Sequence, residues 1–296
     1  MNKLQNFMKT VGTEQKENVV KKSIKSILKW PGGKMKVLQH LKPHFSTSGT
    51  FYDVFGGSGV ISFNSDAEKI IYNDLNFDCK NLFTHINDPK FIDKLKTLFA
   101  KNNKDKYLKY RKLFNTKTSS DFDRACLFYY LNKCGFNGLV RYNKAGGWNV
   151  PPGDNLEKRT FDKDDITILK DVIRKKNIEF LCLGFEDVLK LASTGDVVYM
   201  DPPYLPSNEF KTMYTNYQKD GFCFEQHKQI VALAESLQAR GIKVIISNSS
   251  TNQTKQLYSN ASKIIEIDVA RSISPKKEGR KQVKELIAIY ERKEEI

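Results

Sequence analysis

The ten residues VVYMDPPYLP, positions 197–206, constrain the fold more than any other stretch of this 296-residue chain. Two valines followed by Tyr199 and a methionine describe a buried parallel strand. Pro202 and Pro203 have no N–H to donate, so that strand must stop at Asp201. In an open α/β sheet, ligands bind in the crevice beyond the carboxyl ends of the strands. A strand that halts on Asp-Pro-Pro-Tyr therefore aims one carboxylate, one free proline carbonyl and one aromatic face into such a crevice. Taken as an isolated string, Asp201 before two prolines would also serve as a turn cap, and that alternative stays open at this point.

The segments on either side supply the sheet that this strand needs. TFYDVFGGSGVISFN reads as a short strand, a glycine loop and a helix start, and KIIYNDLNFD as a second strand ending at Asp74. Between about Asn76 and Lys163 the alternation gives way to helical patterns and then to FNGLVRYNKAGGWNVPPGDN, where two β-prone runs flank NKAGG as in a hairpin. The α/β rhythm resumes with IEFLCL, DVVYMDPPY, IKVIISN, KIIEIDV and KELIAIYE. The expected organisation is a flexible arm over 1–26, an α/β domain over 27–75 and 164–296, and a helical plus β-hairpin insertion over 76–163.

The net charge of +15, from 49 Lys and Arg against 34 Asp and Glu, together with 11% aromatic residues, fits a polyanionic partner. A merely basic enzyme is the alternative. Five scattered cysteines with no C-x-x-C pair and four histidines indicate neither a disulfide framework nor a metal site, so no metal is expected and the thiols read as reduced. Apolar runs are too short for a membrane span, and residues 1–26 lack a signal core. A cytoplasmic location without a membrane partner follows as the expectation.

The glycine loop DVFGGSG, between strand and helix, lets backbone approach a nucleotide closely. Asp74 lies at the end of the next strand, where a carboxylate can accept from ribose hydroxyls; capping the following helix is the alternative. A carboxylate and a carbonyl fixed side by side suit a planar amine with two N–H groups, and Tyr204 offers a π face to its ring. An aromatic amino group is the natural guest.

In LKWPGGK, YDVFGGSG, YNDLN, FNGLVRYNKAGGWNVPPG, DPPYLP, ISNSS and RSISPKKEGRKQVKELIAIY, in that order, the chain resembles the Dam-type DNA adenine methylases of the α group over residues 28–290. The resemblance implies a class I S-adenosylmethionine-dependent methyltransferase: an α/β, Rossmann-like mixed sheet with its last strand antiparallel. It implies S-adenosyl-L-methionine as cofactor, with S-adenosyl-L-homocysteine as product, held by Trp30, Gly32, Gly33, Lys34, Asp53, Phe55, Gly57, Gly59 and Asp74, with Asp201 at its edge. Asp201, Pro202, Pro203 and Tyr204 match the catalytic motif, in which an adenine flipped from double-stranded DNA presents its amino group to the aspartate and a proline carbonyl. Lys29, Phe136, Asn137, Leu139, Arg141 and Pro151 match DNA contacts that read GATC, with Phe136 wedging beside the flipped base and Arg141 on a guanine edge.

Alternatives remain on the residues themselves. Phe136 and Leu139 could be packing residues and Arg141 a phosphate anchor. The basic run 271–284 reads either as a solvated loop or as a phosphate contact, and the polar loop 207–221 as a possible cover over the base. An RNA methyltransferase with the same pocket, or a DNA-binding relative without chemistry, are the rival functions. Asp53 and Val54 stand where relatives have Glu and Pro, and DNLEKRT follows NVPPG where relatives place a basic and an aromatic residue. A monomer or weak dimer is expected. The sequence leaves open whether a restriction nuclease accompanies the enzyme.

Overall fold

The computed structural model describes residues 23–45, 48–205, 222–270 and 282–292. Chain order begins with helix α1 (Leu38–Leu41), strand β1 (Thr50–Asp53), α2 (Val60–Asn64) and β2 (Lys69–Asn73). Four helices follow: α3 (Phe77–His85), α4 (Phe91–Phe99), α5 (Lys104–Thr116) and α6 (Asp121–Cys134). After an irregular excursion come α7 (Lys163–Lys175), β3 (Asn177–Leu181), α8 (Phe185–Leu189) and β4 (Val197–Met200). The chain closes with α9 (Phe224–Ala239), β5 (Lys243–Ser249), α10 (Asn252–Leu257), β6 (Lys263–Ala270) and β7 (Gln282–Tyr290).

The seven strands form one sheet in the order β3-β2-β1-β4-β5-β7-β6. The first five are parallel, and β7 runs antiparallel to both β5 and β6. This is the mixed α/β sheet expected of a class I methyltransferase. Strand periodicity sorts side chains onto its two faces. Val198, Met200, Val244, Ile246, Leu286 and Ala288 enter one apolar layer, and Val197, Tyr199, Ile245, Ile287 and Ile289 the other. Both faces are covered, which is why VVYM is buried at every position.

The helices α3 to α6 share a third cluster with residues of the sheet edge. Phe83 packs edge-on against Phe63 and Tyr72, and it stacks on Phe180 of β3. α6 is buried nearly all round, with Cys126, Phe128, Tyr129, Tyr130 and Leu131 at the centre of this cluster. Cys79 and Cys134 are buried there as well, whereas Cys182 is half-buried and Cys223 exposed. No described helix is long and apolar enough to cross a membrane.

Two expectations shift at their edges. Residues 1–22 of the arm lie outside the described residues, but 23–26 are anchored: Ile24 exchanges a pair of hydrogen bonds with the Asn64 side chain at 2.8 and 2.9 Å. The expected hairpin is not a ladder. It is held by two isolated antiparallel bridges, Gly135 with Pro152 and Tyr142 with Trp148, around a turn closed by Asn143 N–H to Gly147 O at 2.8 Å. A 3-10 turn at Phe136–Gly138, with Asn137 and Gly138 both at positive φ, and two prolines without donors break the pairing between those bridges.

Candidate active site and nucleic-acid interface

The sheet reverses its winding between β1 and β4, where β1 leads outward to β2 and β4 outward to β5. A topological switch point of this kind opens a crevice at the carboxyl ends of both strands. Asp53 ends β1, and Asp201 directly follows β4. Trp30, Gly32, Gly33, Lys34, Asp53, Phe55, Gly57 and Asp201 all line one cavity there, together with Tyr199. The glycine loop is pressed against its surroundings: a Cβ on Gly57, at φ 47°, would lie 2.6 Å from the Trp30 indole nitrogen, and one on Gly59, at φ 74°, would lie 2.1 Å from the Phe63 ring. Only glycine permits both the turn and the contact.

Two carboxyl groups, Asp53 and Asp201, line this space, and a third, Asp74, is bonded to its glycine loop. Asp74 accepts from the Gly57 N–H and the Asn76 N–H, each at 2.7 Å, so it ties the glycine loop to the end of β2. The cap of α3 is Asn76, whose side chain accepts from the Asp78 N–H; Asp74 is therefore not the capping residue. Asp53 uses Oδ2 to accept from the Ser62 N–H and hydroxyl, while its Oδ1 is buried with no partner among the described residues. Burial pushes Asp53 up to about 7 and Asp74 up to about 6; the Ser62 hydroxyl opposes the first shift, and backbone N–H groups oppose the second.

Asp201 divides its two oxygens. Oδ2 pairs with Lys34 Nζ at 2.9 Å, the lysine side chain being 5% and the aspartate 18% exposed. Oδ1 is buried and unpartnered among the described residues. Burial raises this carboxyl to about 6, and the Lys34 ammonium opposes that shift. The same ammonium also donates to Gly32 O at 3.0 Å and lies 4.7 Å from the centroid of the Tyr204 ring. A half-buried tyrosine, a buried cation and a carboxylate with one free acceptor thus occupy adjacent places at the end of β4.

The excursion between α6 and α7 carries the other group of expected residues. Its supports are buried: Trp148 donates to the Tyr107 hydroxyl at 3.1 Å, its ring lies edge-on to Phe114, Phe128 and Tyr142, and its backbone exchanges two hydrogen bonds with Asn115. Tyr142 donates to Asp78 at 2.7 Å, and Asp78 is gripped by both ends of the Arg124 guanidinium at 2.6 and 3.0 Å. Phe136, Asn137, Arg141 and Pro151 are exposed on this frame, whereas Leu139 packs partly into the helical core. Phe136 leaves 42% of its surface open. Arg141 is pre-set by Asn149, donating to its side chain at 2.8 Å.

The comparison with known sequences decides the family. The D12 class N6 adenine-specific DNA methyltransferase family matches residues 30–273. This chain belongs to that class of methyltransferases. It is 35% identical over 270 residues to the DNA adenine methylase of Haemophilus influenzae, spanning 89% of this chain and 92% of that protein. The DNA adenine methylase of Escherichia coli K12 is 34% identical over 273 residues, covering 91% and 96%, and that of Vibrio cholerae is 32% identical over 274.

In this methyltransferase a single residue joins pocket to excursion. The Lys29 backbone exchanges hydrogen bonds with the buried Asn132 side chain at 2.9 and 2.8 Å, and its side chain lies so close over Gly138 that a Cβ there would be 2.2 Å away. Lys29 also lines a cleft of about 470 Å³ with Lys133, Arg159 and Lys163. Burial lowers the pKa of both Lys29 and Lys133; the Arg159 charge lowers Lys29 further, and the Lys29 charge does the same to Lys133. Asp162 and Asp164 share the cleft without cancelling that crowding.

Sequence reasoning missed Lys133 and Arg159, which sit in no motif, and the pairing of Lys34 with Asp201, whose separate motifs do not show that they meet. It also missed Glu285 of β7, which accepts from the Tyr204 hydroxyl at 3.1 Å. A signal existed for Glu285. In the alternation Glu285, Ile287, Ile289 it is the one charge on an otherwise buried face. The expectations on 207–221 lie outside the described residues, as do those on 271–284 apart from residues 282–284.

Proposed function

We propose that this methyltransferase modifies N6 of an adenine in duplex DNA, within GATC, using S-adenosylmethionine and holding the target base outside the helix. The observation that carries the reading is Asp201 Oδ1, a buried acceptor left without a partner at the mouth of the crevice, beside Pro202, Pro203 and Tyr204. A buried unpaired acceptor costs on the order of 1 to 3 kcal/mol. A site keeps that cost where a ligand relieves it.

The adenine amino group is a weak nucleophile because its lone pair is delocalised into the ring. Two acceptors on its N–H bonds, Asp201 Oδ1 and a proline carbonyl, favour the pyramidal form whose lone pair points outward. Lys34 on Oδ2 helps to keep the carboxylate ionised in a buried setting and orients the free oxygen. Tyr204 supplies the face on which the base rests.

The pocket residues fit the cofactor. Asp53 and Asp201 line the cavity against one lining cation, Lys34, so its lining favours a positively charged ligand. Asp53 Oδ1 waits for a donor, and the lone pairs that Asp74 keeps beyond its two backbone bonds suit ribose hydroxyls. When bound, S-adenosylmethionine supplies an electrophilic methyl group on a sulfonium.

DNA would lie across the exposed face of the excursion and the basic cleft. Arg141, held by Asn149, offers a guanidinium for the O6 and N7 edge of guanine. Exposed Phe136 suits the space that a displaced base leaves. Lys29, Lys133 and Arg159 suit phosphates. The test is nucleoside analysis after transfer of labelled methyl to duplex DNA and, in parallel, duplex RNA. Label in N6-methyldeoxyadenosine supports the reading; label in a cytosine or only in RNA contradicts it.

A further inference from the structure

We propose that Glu285 is a positioning residue for base capture, fixing where the Tyr204 ring stands through its hydroxyl. The inference rests on the reading that Asp201 and Tyr204 hold an adenine. It adds a residue from β7, a strand to which no catalytic, cofactor or DNA contact was assigned.

The topology brings Glu285 to the site. β7 is antiparallel, so its first residues reach the rim where the parallel strands deliver their last. Glu285 pairs in register with Ser249, the final residue of β5, and on its other side with Ile267 of β6. Ile287 and Ile289, on the same face of β7, are buried in the apolar layer that also contains Tyr199 and Val37. A carboxylate on such a face needs a partner, and its partner is the Tyr204 hydroxyl at 3.1 Å.

The freedom left at Tyr204 explains what the tether does. Two preceding prolines restrict the backbone leading into it, and the side chain itself turns about χ1 and χ2. A hydrogen bond at the distal oxygen restrains χ1; that oxygen lies on the χ2 axis, so the tether sets where the ring stands rather than its tilt. The ring face is held at the same time by Lys34 Nζ, 4.7 Å from its centroid, and that ammonium is paired with Asp201 at 2.9 Å. Glu285, Tyr204, Lys34 and Asp201 are therefore one chain of contacts running from β7 to the end of β4. Glu285 is its outer anchor. Without it the stacking face is free to turn away while the cofactor cavity, which Glu285 does not line, is left as it was.

The experiment is a double-mutant cycle of wild type, Glu285→Ala, Tyr204→Phe and the double variant, with Glu285→Gln as the conservative member. Three quantities are read: kcat/KM for methyl transfer to duplex DNA, fluorescence of 2-aminopurine at the target position, and cofactor Kd by calorimetry. Glu285→Ala is expected to lower kcat/KM about tenfold, the loss of one hydrogen bond to a charged acceptor, and to reduce the 2-aminopurine signal with cofactor Kd unchanged. Glu285→Gln, which still offers an acceptor, should recover most of that loss. In the Tyr204→Phe background Glu285→Ala should have no further effect. Losses that multiply, or a fall in cofactor affinity that matches the fall in activity, would overturn the proposal and leave the adenine reading standing. Should Glu285→Ala fail to fold, the cycle is run with Glu285→Leu, which keeps the volume but offers no acceptor, and a Leu variant that loses as much in the Tyr204→Phe background as in wild type overturns the proposal equally. A wild-type enzyme inactive on adenine in any duplex overturns both.

Discussion

The catalytic crevice and the recognition excursion use the same kinds of residue in opposite ways. In the crevice, charged groups are buried and left partly unsatisfied: Asp53 and Asp201 each keep an oxygen without a partner among the described residues, and the glycine loop is packed so tightly that no Cβ fits. In the excursion and the helices beneath it, Tyr142 is bonded to Asp78, itself gripped by Arg124, and Trp148 is bonded at ring and backbone, while the side chains that would read a sequence stand in solvent. The first region stores its function as unmet electrostatic demand. The second stores it as a rigid frame for exposed residues. Lys29, hydrogen-bonded to Asn132 and packed on Gly138, is the point where one passes into the other.

If that division holds, substitutions on the two sides should separate cleanly. The largest effect is expected from Asp201→Ala, which should lower single-turnover methyl transfer by about a thousandfold or more while leaving the unfolding midpoint unchanged or raised. A large loss of stability in this variant would mean that the pocket is part of the frame after all. Next comes Trp148→Ala, where removing a buried indole should cost roughly 3 to 5 kcal/mol in denaturant unfolding. Its cofactor affinity, measured on the folded fraction, should stay near wild type.

Arg141→Ala is expected to cost about 1 to 3 kcal/mol of duplex binding and to relax discrimination at one guanine. Equal loss on every duplex would turn it into a phosphate contact. The pocket should also respond to pH. Asp201 is raised to about 6 and Asp53 to about 7, each chiefly by burial, so in the free protein their contributions favour the fold at low pH and are lost as pH rises through those values. A cationic ligand needs the ionised forms. Cofactor affinity should therefore strengthen between pH 6 and pH 8 with proton release on binding, detectable by calorimetry in buffers of different ionisation enthalpy. Smallest is Arg159→Ala, which should reduce the slope of log binding constant against log salt by about one without altering base preference.

How much of this was legible beforehand follows the same division. The end of β4, the glycine loop and Asp74 are local: prolines stop a strand and glycines permit a turn, and sequence neighbours suffice to see both. The βα alternation gave the sheet, and its order agrees with the fold that the resemblance implied. What escaped depends on distant pairing. Lys34 and Asp201 meet across 167 positions (201 less 34), and Glu285 reaches Tyr204 only because β7 is inserted antiparallel between β5 and β6. The hairpin was overread because β-prone composition in GLVRYN and WNVPP cannot reveal that Asn137 turns left-handed and that two prolines remove ladder donors. Asp74 and Asn76 both had the chemistry of a cap, and only the geometry assigns it to Asn76.

The most direct test of the central claim is transfer of labelled methyl from S-adenosylmethionine to two duplexes, one containing GATC and one with its first guanine changed, by wild type and by Asp201→Ala. The account expects label in the GATC duplex alone, and none with the variant. Equal labelling of both duplexes by wild type would contradict the assignment of specificity to the excursion, and undiminished labelling by Asp201→Ala would contradict the role of the free carboxylate oxygen on which the account is built.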